Sequence, residues 1–368
     1  MISLQNFIDS LDKAKLDAAI ISMGNLYPLK KAFEKAKQKK KLSVAFIGGS
    51  ITQGFCSSNE KNCWAYLSYL WFCEKFPNAE IEYINAGIGA TTSLIGVHRA
   101  GRDVLSHSPD MVFVEFAVND KPSMLDCKAY ESLVRRLLLS PNPPAVIELF
   151  TSCDDGSNVQ EQQISIGKNY HLPMLSYRDL IQGEIKKGNI TWKDVSPDTV
   201  HPNDLGHKII STLIGRFLDK TTAADFPPSP SKLLPAPVYG DEYINGEILS
   251  SKEVSPSKLE GFEPYEGFQR FYNGWKSPKG QASCMEISIK ARHVFLMFKK
   301  GISGDSGKVL IECNGEAFEA NSFFENGWGD FAETMRLASS ETEKEFKIKI
   351  TKEDSGKEFF ILGFLASK

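Results

Sequence analysis

From Leu42 to about Thr221 the chain alternates between short apolar runs and stretches with helical spacing. The runs Leu42–Ile47, Glu80–Ile84, Met111–Ala117, Ala145–Phe150 and Leu172–Leu175 predict strands. Several are apolar almost throughout, as expected for strands buried on both faces. Between them, Tyr130, Leu133, Val134, Leu137 and Leu138 recur on one helical face, and Leu205, Ile209, Leu213 and Phe217 on another. Pro141, Pro143 and Pro144 punctuate the return from the first of these helices to the fourth strand. Such strand–helix alternation predicts a parallel sheet covered by helices on both sides. Residues 1–40 read as a surface-facing helical extension. It leads into the basic run Lys37-Gln38-Lys39-Lys40-Lys41, a solvated approach to the first strand.

The pattern changes after residue 222. Phe226-Pro227-Pro228-Ser229-Pro230-Ser231 and Leu234-Pro235-Ala236-Pro237 form a proline-rich linker of limited flexibility over residues 223–240. Beyond it helical spacing fades. Met285–Ile289, Val294–Phe298, Lys308–Glu312, Glu345–Ile350 and Glu358–Leu362 predict strands separated by Gly, Asn and Ser turns. Residues 241–368 therefore predict an all-β domain, a sandwich, beside an α/β domain over 41–222. The 368 residues also exceed what one core comfortably organises.

Composition narrows the class of protein. A net charge of −3 offers no basic field for nucleic acid and no polybasic membrane patch. No apolar run approaches the length of a bilayer span. The first residues lack a basic start, and Asp9, Asp12, Lys13 and Lys15 interrupt any apolar stretch, so a cytoplasmic location is expected. Seven cysteines without CxxC spacing predict free thiols.

Four short segments carry the candidate chemistry: Gly48-Gly49-Ser50-Ile51-Thr52, Asn85-Ala86-Gly87-Ile88-Gly89, Val118-Asn119-Asp120 and Asp198-Thr199-Val200-His201-Pro202-Asn203. Ser50, Gly89 and Asn119 follow the first three strands, on the sheet edge where open parallel sheets bind ligands. Asp198 and His201 lie in the loop before the last helix, which Asn203 is placed to cap. A serine hydroxyl needs a base to become nucleophilic; His201 is the candidate, with Asp198 to orient its imidazole. Gly49 and Gly89 leave room for backbone amides to approach a substrate, and the Asn119 side chain adds a further donor.

These four segments resemble the sequence blocks of the SGNH hydrolases, also called GDSL-type esterases. The resemblance covers roughly Leu42 to Phe217. It implies a flavodoxin-like three-layer α/β/α sandwich and an acyl-enzyme mechanism that needs no cofactor. In the residues of this chain it implies Ser50 as nucleophile, Asp198 and His201 as its partners, and the Ser50 amide, Gly89 amide and Asn119 side chain as oxyanion donors. Gly49 and Ile51 depart from the family's usual Asp and Leu, and Val118 stands where many members carry Gly. The Gly-Gly-Ser-Ile-Thr form resembles a carbohydrate-esterase subgroup with an accessory β-domain. That likeness implies a small-molecule or oligosaccharide ester, above all an acetyl ester, as substrate.

Other readings of the same residues exist. Gly87 competes with Gly89, and Asn119 and Asp120 can serve a turn. Asp204 and His207 repeat the Asp-x-x-His spacing, but on the surface of a helix. Gly49-Ser50 lacks the Gly-Lys-Ser/Thr ending of a phosphate loop, and no His-Glu-x-x-His points to a catalytic metal. An acyltransferase would use the same three side chains, and a non-catalytic carbohydrate-binding protein could keep the scaffold. In the C-terminal domain Phe268, Phe271, Tyr272, Trp275 and Trp328 are either core or a sugar-stacking platform, with Trp328 the best placed as an exposed contact.

Overall fold

The structure, a computed structural model, describes residues 7–8, 11–229 and 233–368. The backbone divides between Asp241 and Glu242 into two compact units.

The first unit is built on a six-stranded sheet. Its strands are β1 (Ile20–Ser22), β2 (Leu42–Gly48), β3 (Ile81–Gly87), β4 (Met111–Glu115), β5 (Ala145–Phe150) and β6 (Met174–Ser176). Their order across the sheet is β1-β6-β5-β4-β2-β3, and all neighbours are parallel except β1 and β6. Every residue of β2, β4 and β5 is buried, which explains runs that are apolar apart from Ser43, Glu115 and Glu148. Val44, Phe46, Phe113, Ile147 and Leu149 share one core with Ile209, Leu213 and Phe217 of the last helix of the unit. Ala45, Ile47, Val112 and Val114, alternating with those strand residues, are buried on the opposite face.

The N-terminal region corrects the expectation of a surface-facing helical extension. After α1 (Lys13–Ala18), β1 pairs with β6, Ile20 opposite Leu175, and supplies an edge of the sheet. In α2 (Tyr27–Lys37), Leu29, Ala32, Phe33 and Ala36 form a buried stripe. The lysines between them obscure this face in the sequence, yet the ammonium groups of Lys30 and Lys35 find acceptors at the rim. Lys35 pairs with Asp110 at 2.7 Å, and Lys30 donates to the Thr222 and Ala224 carbonyls at 3.2 and 2.6 Å. The run Lys37–Lys41 is exposed. Residues 1–6 and 9–10 lie outside the described residues.

Two strand ends differ from expectation, and both matter to the site. β4 stops at Glu115 because the chain turns: the Asn119 and Asp120 amides both donate to Phe116 O at 3.0 Å. β3 continues to Gly87 in register with β2, Asn85 opposite Phe46 and Gly87 opposite Gly48. Polar Asn85 hides this continuation in the sequence.

The described part of the proline-rich segment is tied to the first unit. The later helices are α3 (Ser50–Gln53), α4 (Trp64–Lys75), α5 (Ser93–Asp103), α6 (Met124–Leu138), α7 (Gln160–Asn169), α8 (Tyr177–Lys186), α9 (Trp192–Val195) and α10 (Asp204–Ala223), and α6 reaches this segment with a fully buried carboxylate. Glu131 of α6 accepts from the Val238, Tyr239 and Gly240 amides at 2.7, 2.6 and 3.1 Å, and from the Tyr170 hydroxyl at 2.6 Å. Arg135, one turn on, donates to Pro235 O at 2.8 Å and pairs with Asp241 at 2.9 Å.

The second unit is antiparallel throughout its ladders. Its longest strands are β11 (Ser283–Lys300) and β14 (Phe331–Lys352), which pair with each other along almost their whole length. Between β6 and β11 in the chain lie β7 (Gly246–Leu249), β8 (Lys258–Glu260), β9 (Glu263–Phe268) and β10 (Phe271–Ser277). β12 (Lys308–Cys313), β13 (Glu316–Asn321) and β15 (Phe359–Ser367) complete the set. The sequence suggested two strands over 285–298 and a short one over 345–350; each belongs to one long strand. The register of β11 shifts between Ala291 and His293, where charged residues interrupt its apolar pattern. Its first half pairs with β8 and its second with β15, so within one nine-stranded sheet β11 has different neighbours on that side at its two ends. Met285, Ile287, Ile289, Leu296, Ile348, Ile350 and Phe364 belong to the unit's buried core. Phe271 and Trp275 are core residues, whereas Tyr272 is exposed and Trp328, 69% exposed, stacks on Phe331.

Candidate active site

The nucleophile candidate sits where β2 turns into the short helix α3. Ser50 is the first residue of α3, so its own amide is one of those for which a helix supplies no acceptor. Close backbone contacts fix this turn. An added Cβ on Gly87 would lie 2.2 Å from Gln53 N, so β3 and α3 meet only because Gly87 has no side chain. Asn85 reinforces the contact, donating from Nδ2 to Thr52 O at 2.9 Å and accepting from Gly87 N at 2.9 Å.

His201 reaches Ser50 from the loop that precedes α10 (Asp204–Ala223). Its Nε2 lies 2.9 Å from Ser50 Oγ, and its Nδ1 lies 2.7 Å from Asp198 Oδ2. Asp198 divides its work between two oxygens: Oδ1 accepts from the Val200 and His201 amides, each at 2.7 Å, and Oδ2 faces the imidazole. Burial pushes the Asp198 carboxyl up, but the two amides and the imidazole outweigh it and hold its pKa below the usual carboxylate range. An ionised Asp198 only accepts, so the neutral imidazole carries its proton on Nδ1 and turns a lone pair to Ser50.

The loop is braced from below. The Trp192 indole donates to Asp198 O at 2.6 Å. The buried Ser196 hydroxyl lies 2.7 Å from both the Asp198 and His201 carbonyl oxygens. Asn203 caps α10 through the Leu205 and Gly206 amides and donates to Asp194 O at 2.9 Å, which fixes where the loop ends.

The rival pair has other partners. Asp204 accepts from the Ser58 amide and hydroxyl, both at 2.7 Å, tying down the turn after α3. His207 is buried, and desolvation depresses its pKa to about 4. Its neutral ring accepts from Trp64 N and donates to Phe55 O, both at 3.3 Å.

The donors near Ser50 are arranged as follows. Asn119, in the turn after β4, lies against Gly49; a Cβ added there would be 2.2 Å from its Oδ1. Gly87 is already committed to Asn85, whereas the Gly89 amide donates to Gln53 Oε1 at 2.7 Å. Asp120 is buried and pins the start of α5, its Oδ1 accepting from Ser93 N at 2.8 Å. Beneath α3 lies Glu115, fully buried, bonded by the Thr52 and Thr151 hydroxyls at 2.9 and 2.7 Å. Desolvation pushes its carboxyl up to about 7, against the pull of those two bonds.

Comparison with known proteins places this geometry. Residues 46–209 match the GDSL-like Lipase/Acylhydrolase family. A solved two-domain esterase (CEX), active on acetylated mannans, is 32% identical, with a TM-score of 0.90 over 96% of this chain and 99% of its own. The same kind of esterase co-crystallised with mannopentaose gives 32% identity and a TM-score of 0.88, over 96% of this chain and 98% of the other. The chain belongs to the GDSL-like lipase/acylhydrolase family. It is a carboxylic ester hydrolase with an α/β unit followed by an antiparallel β unit. No curated protein matches the chain.

In this acylhydrolase three residues at the rim escaped sequence reasoning. Gln53, one turn after Ser50, holds the Gly89 amide. Phe55 packs its ring 4.6 Å from the His201 imidazole at an angle of 62°, although it is largely exposed. Cys56 places Sγ 4.0 Å from Asp198 Oδ2, and burial together with the Asp198 charge pushes its thiol up. All three follow the Ser50 segment directly; proximity in sequence was the one signal available. Among the described residues, no helix is long and apolar enough to cross a membrane.

Proposed function

We propose that this chain is a serine esterase that removes short acyl groups, acetyl above all, from carbohydrate. The observation that carries the reading is the unbroken relay from Ser50 Oγ through His201 to Asp198, with heavy-atom distances of 2.9 and 2.7 Å. His201 Nε2 takes the Ser50 proton as Oγ attacks the ester carbonyl, and Asp198 stabilises the imidazolium that results. The imidazolium then protonates the departing sugar hydroxyl. Water, activated by the same Nε2, releases the acyl group from Ser50. The Ser50 amide, the Gly89 amide and the Asn119 side chain receive the oxyanion. Gly89 becomes available when the substrate oxygen displaces or shares its bond to Gln53 Oε1. The carbohydrate part of the proposal draws on the acetylated-mannan esterases that resemble the chain over almost its whole length.

The test is acetate release from acetylated manno-oligosaccharides and from p-nitrophenyl acetate. Ser50→Ala should abolish both while leaving the unfolding temperature near wild type. Wild-type turnover in that variant would end the proposal. Cleavage of the small ester with inert acetylated sugars would end its carbohydrate part.

A further inference from the structure

Cys56 has no part in the relay, yet it stands beside it. Its Sγ, an Asp198 carboxylate oxygen and a His201 ring nitrogen all lie within 4.8 Å of one another. We propose that these three side chains form an inhibitory site for a thiophilic divalent cation, Zn²⁺ being the best fit. Thiolate, imidazole and carboxylate are the three ligand types that zinc takes, and three protein ligands plus water complete its tetrahedron. With bonds of about 2.0–2.3 Å, the ligand atoms of such a tetrahedron stand roughly 3.3–3.6 Å apart. Here Asp198 Oδ2 is 4.0 Å from Cys56 Sγ and 2.7 Å from His201 Nδ1. The third separation, from Cys56 Sγ to the ring nitrogen, is within 4.8 Å, so reaching the tetrahedron asks for side-chain shifts of about 1 Å.

Three features make that adjustment inexpensive. Asp198 Oδ1 alone holds the Val200 and His201 amides, so Oδ2, whose partners are the His201 ring and the Cys56 thiol themselves, can turn to a cation without unravelling the loop. The Asp198 side chain is 42% exposed, which gives a cation a path from solvent. The turn that presents Cys56 is itself anchored, through Ser57 Oγ to Gly54 O at 2.6 Å and Ser58 to Asp204.

The consequence for catalysis rests on the relay proposed above. A cation on Nδ1 takes the lone pair freed when the Nδ1 proton moves to Nε2. The ring then donates towards Ser50 and can no longer accept its proton. The thiol proton leaves to solvent, so one proton is released for each cation bound.

The experiment titrates Zn²⁺ into the full-length protein during p-nitrophenyl acetate hydrolysis, with Cys56→Ala and Cys56→Ser alongside wild type. Inhibition reversed by EDTA is expected. Both variants should keep basal turnover within about twofold and need at least about tenfold more Zn²⁺ for the same inhibition. Co²⁺ gives an independent readout: a thiolate-to-cobalt absorption band should appear in wild type and in Ser50→Ala, but not in Cys56→Ala. Equal Zn²⁺ sensitivity in the Cys56 variants, or no thiolate band in wild type, would overturn the site. If wild type proves inactive, the esterase reading fails, and the Co²⁺ titration still decides the site.

Discussion

Gly49→Ala offers a sharp test of how the oxyanion donors are held. Gly49 has φ −87°, outside the left-handed region that favours glycine, so the conflict an alanine meets there is chiefly one of space. The added Cβ would meet Asn119 Oδ1 at 2.2 Å, Cγ at 2.7 Å and Nδ2 at 2.9 Å. Non-bonded heavy atoms prefer about 3.5 Å, so the carboxamide must retreat by about 1 Å. Among the described residues the buried Asn119 Oδ1 has no hydrogen-bond partner, so no bond to that oxygen pulls the group back into place. A retreat on that scale removes a donor from the oxyanion, a loss of about 10²–10³ in kcat, or about 3–4 kcal/mol. The assay is steady-state hydrolysis of p-nitrophenyl acetate by Gly49→Ala, Asn119→Ala and the double variant. If the methyl acts by evicting Asn119, the double variant should be no slower than Asn119→Ala alone, a strongly non-additive cycle. A Gly49→Ala enzyme within about threefold of wild type, or losses that multiply in the double variant, would refute the reasoning.

Three further predictions follow from neighbouring contacts. Gln53→Glu should hold the Gly89 amide more firmly and set a negative charge beside the developing oxyanion, lowering kcat by at least about tenfold, whereas Gln53→Met, lacking an acceptor, should not; equal losses would mean that Gln53 merely supports the loop. Asp198→Asn should lower kcat by orders of magnitude through the wrong imidazole tautomer, while Asp204→Asn should chiefly lower the unfolding temperature; a larger kcat loss from Asp204→Asn would exchange their roles. Glu115 is fully buried with its pKa raised to about 7. Its neutral form therefore stabilises the fold fully below about pH 4.5, and that contribution fades as pH rises through 7. The loss amounts to about 3 kcal/mol. Glu115→Gln should gain on wild type in unfolding temperature between pH 5 and pH 8, and a gap that stays constant with pH would count against it.

Where burial is two-sided, the sequence is plain to read. Leu42–Ile47 and Ala145–Phe150 are apolar but for Ser43 and Glu148 because helices cover both faces, and they appear as strands at nearly the expected limits. Asn85 broke the pattern of β3 because its side chain is spent on Thr52 O and Gly87 N, contacts between elements that no local pattern announces. The stripe Leu29, Ala32, Phe33, Ala36 was obscured by lysines whose partners, Asp110 and the end of α10, lie far away in sequence. The bulge at Ala291–His293 made one strand resemble two. At the site, the spacing of Asp198 and His201 and the glycines near Ser50 pointed to residues that the fold brings within hydrogen-bond distance. Gln53 and Cys56 carried no such signature, since an exposed amide and a solitary thiol become informative only once their neighbours are placed.

Glu131 bears on how this polypeptide can be divided. Three of the four donors to its buried carboxylate come from Val238, Tyr239 and Gly240, beyond the last helix of the first unit. Shortening the chain at Ala223, where α10 ends, would remove those three amides and open the Glu131 carboxylate to water, with Tyr170 the one of the four donors that stays. Ending it after Asp241 would keep the whole clasp, including the ion pair to Arg135. The hydrolase half thus carries a tail of its own that ends at Asp241, eighteen residues past the helix that looks like its natural terminus.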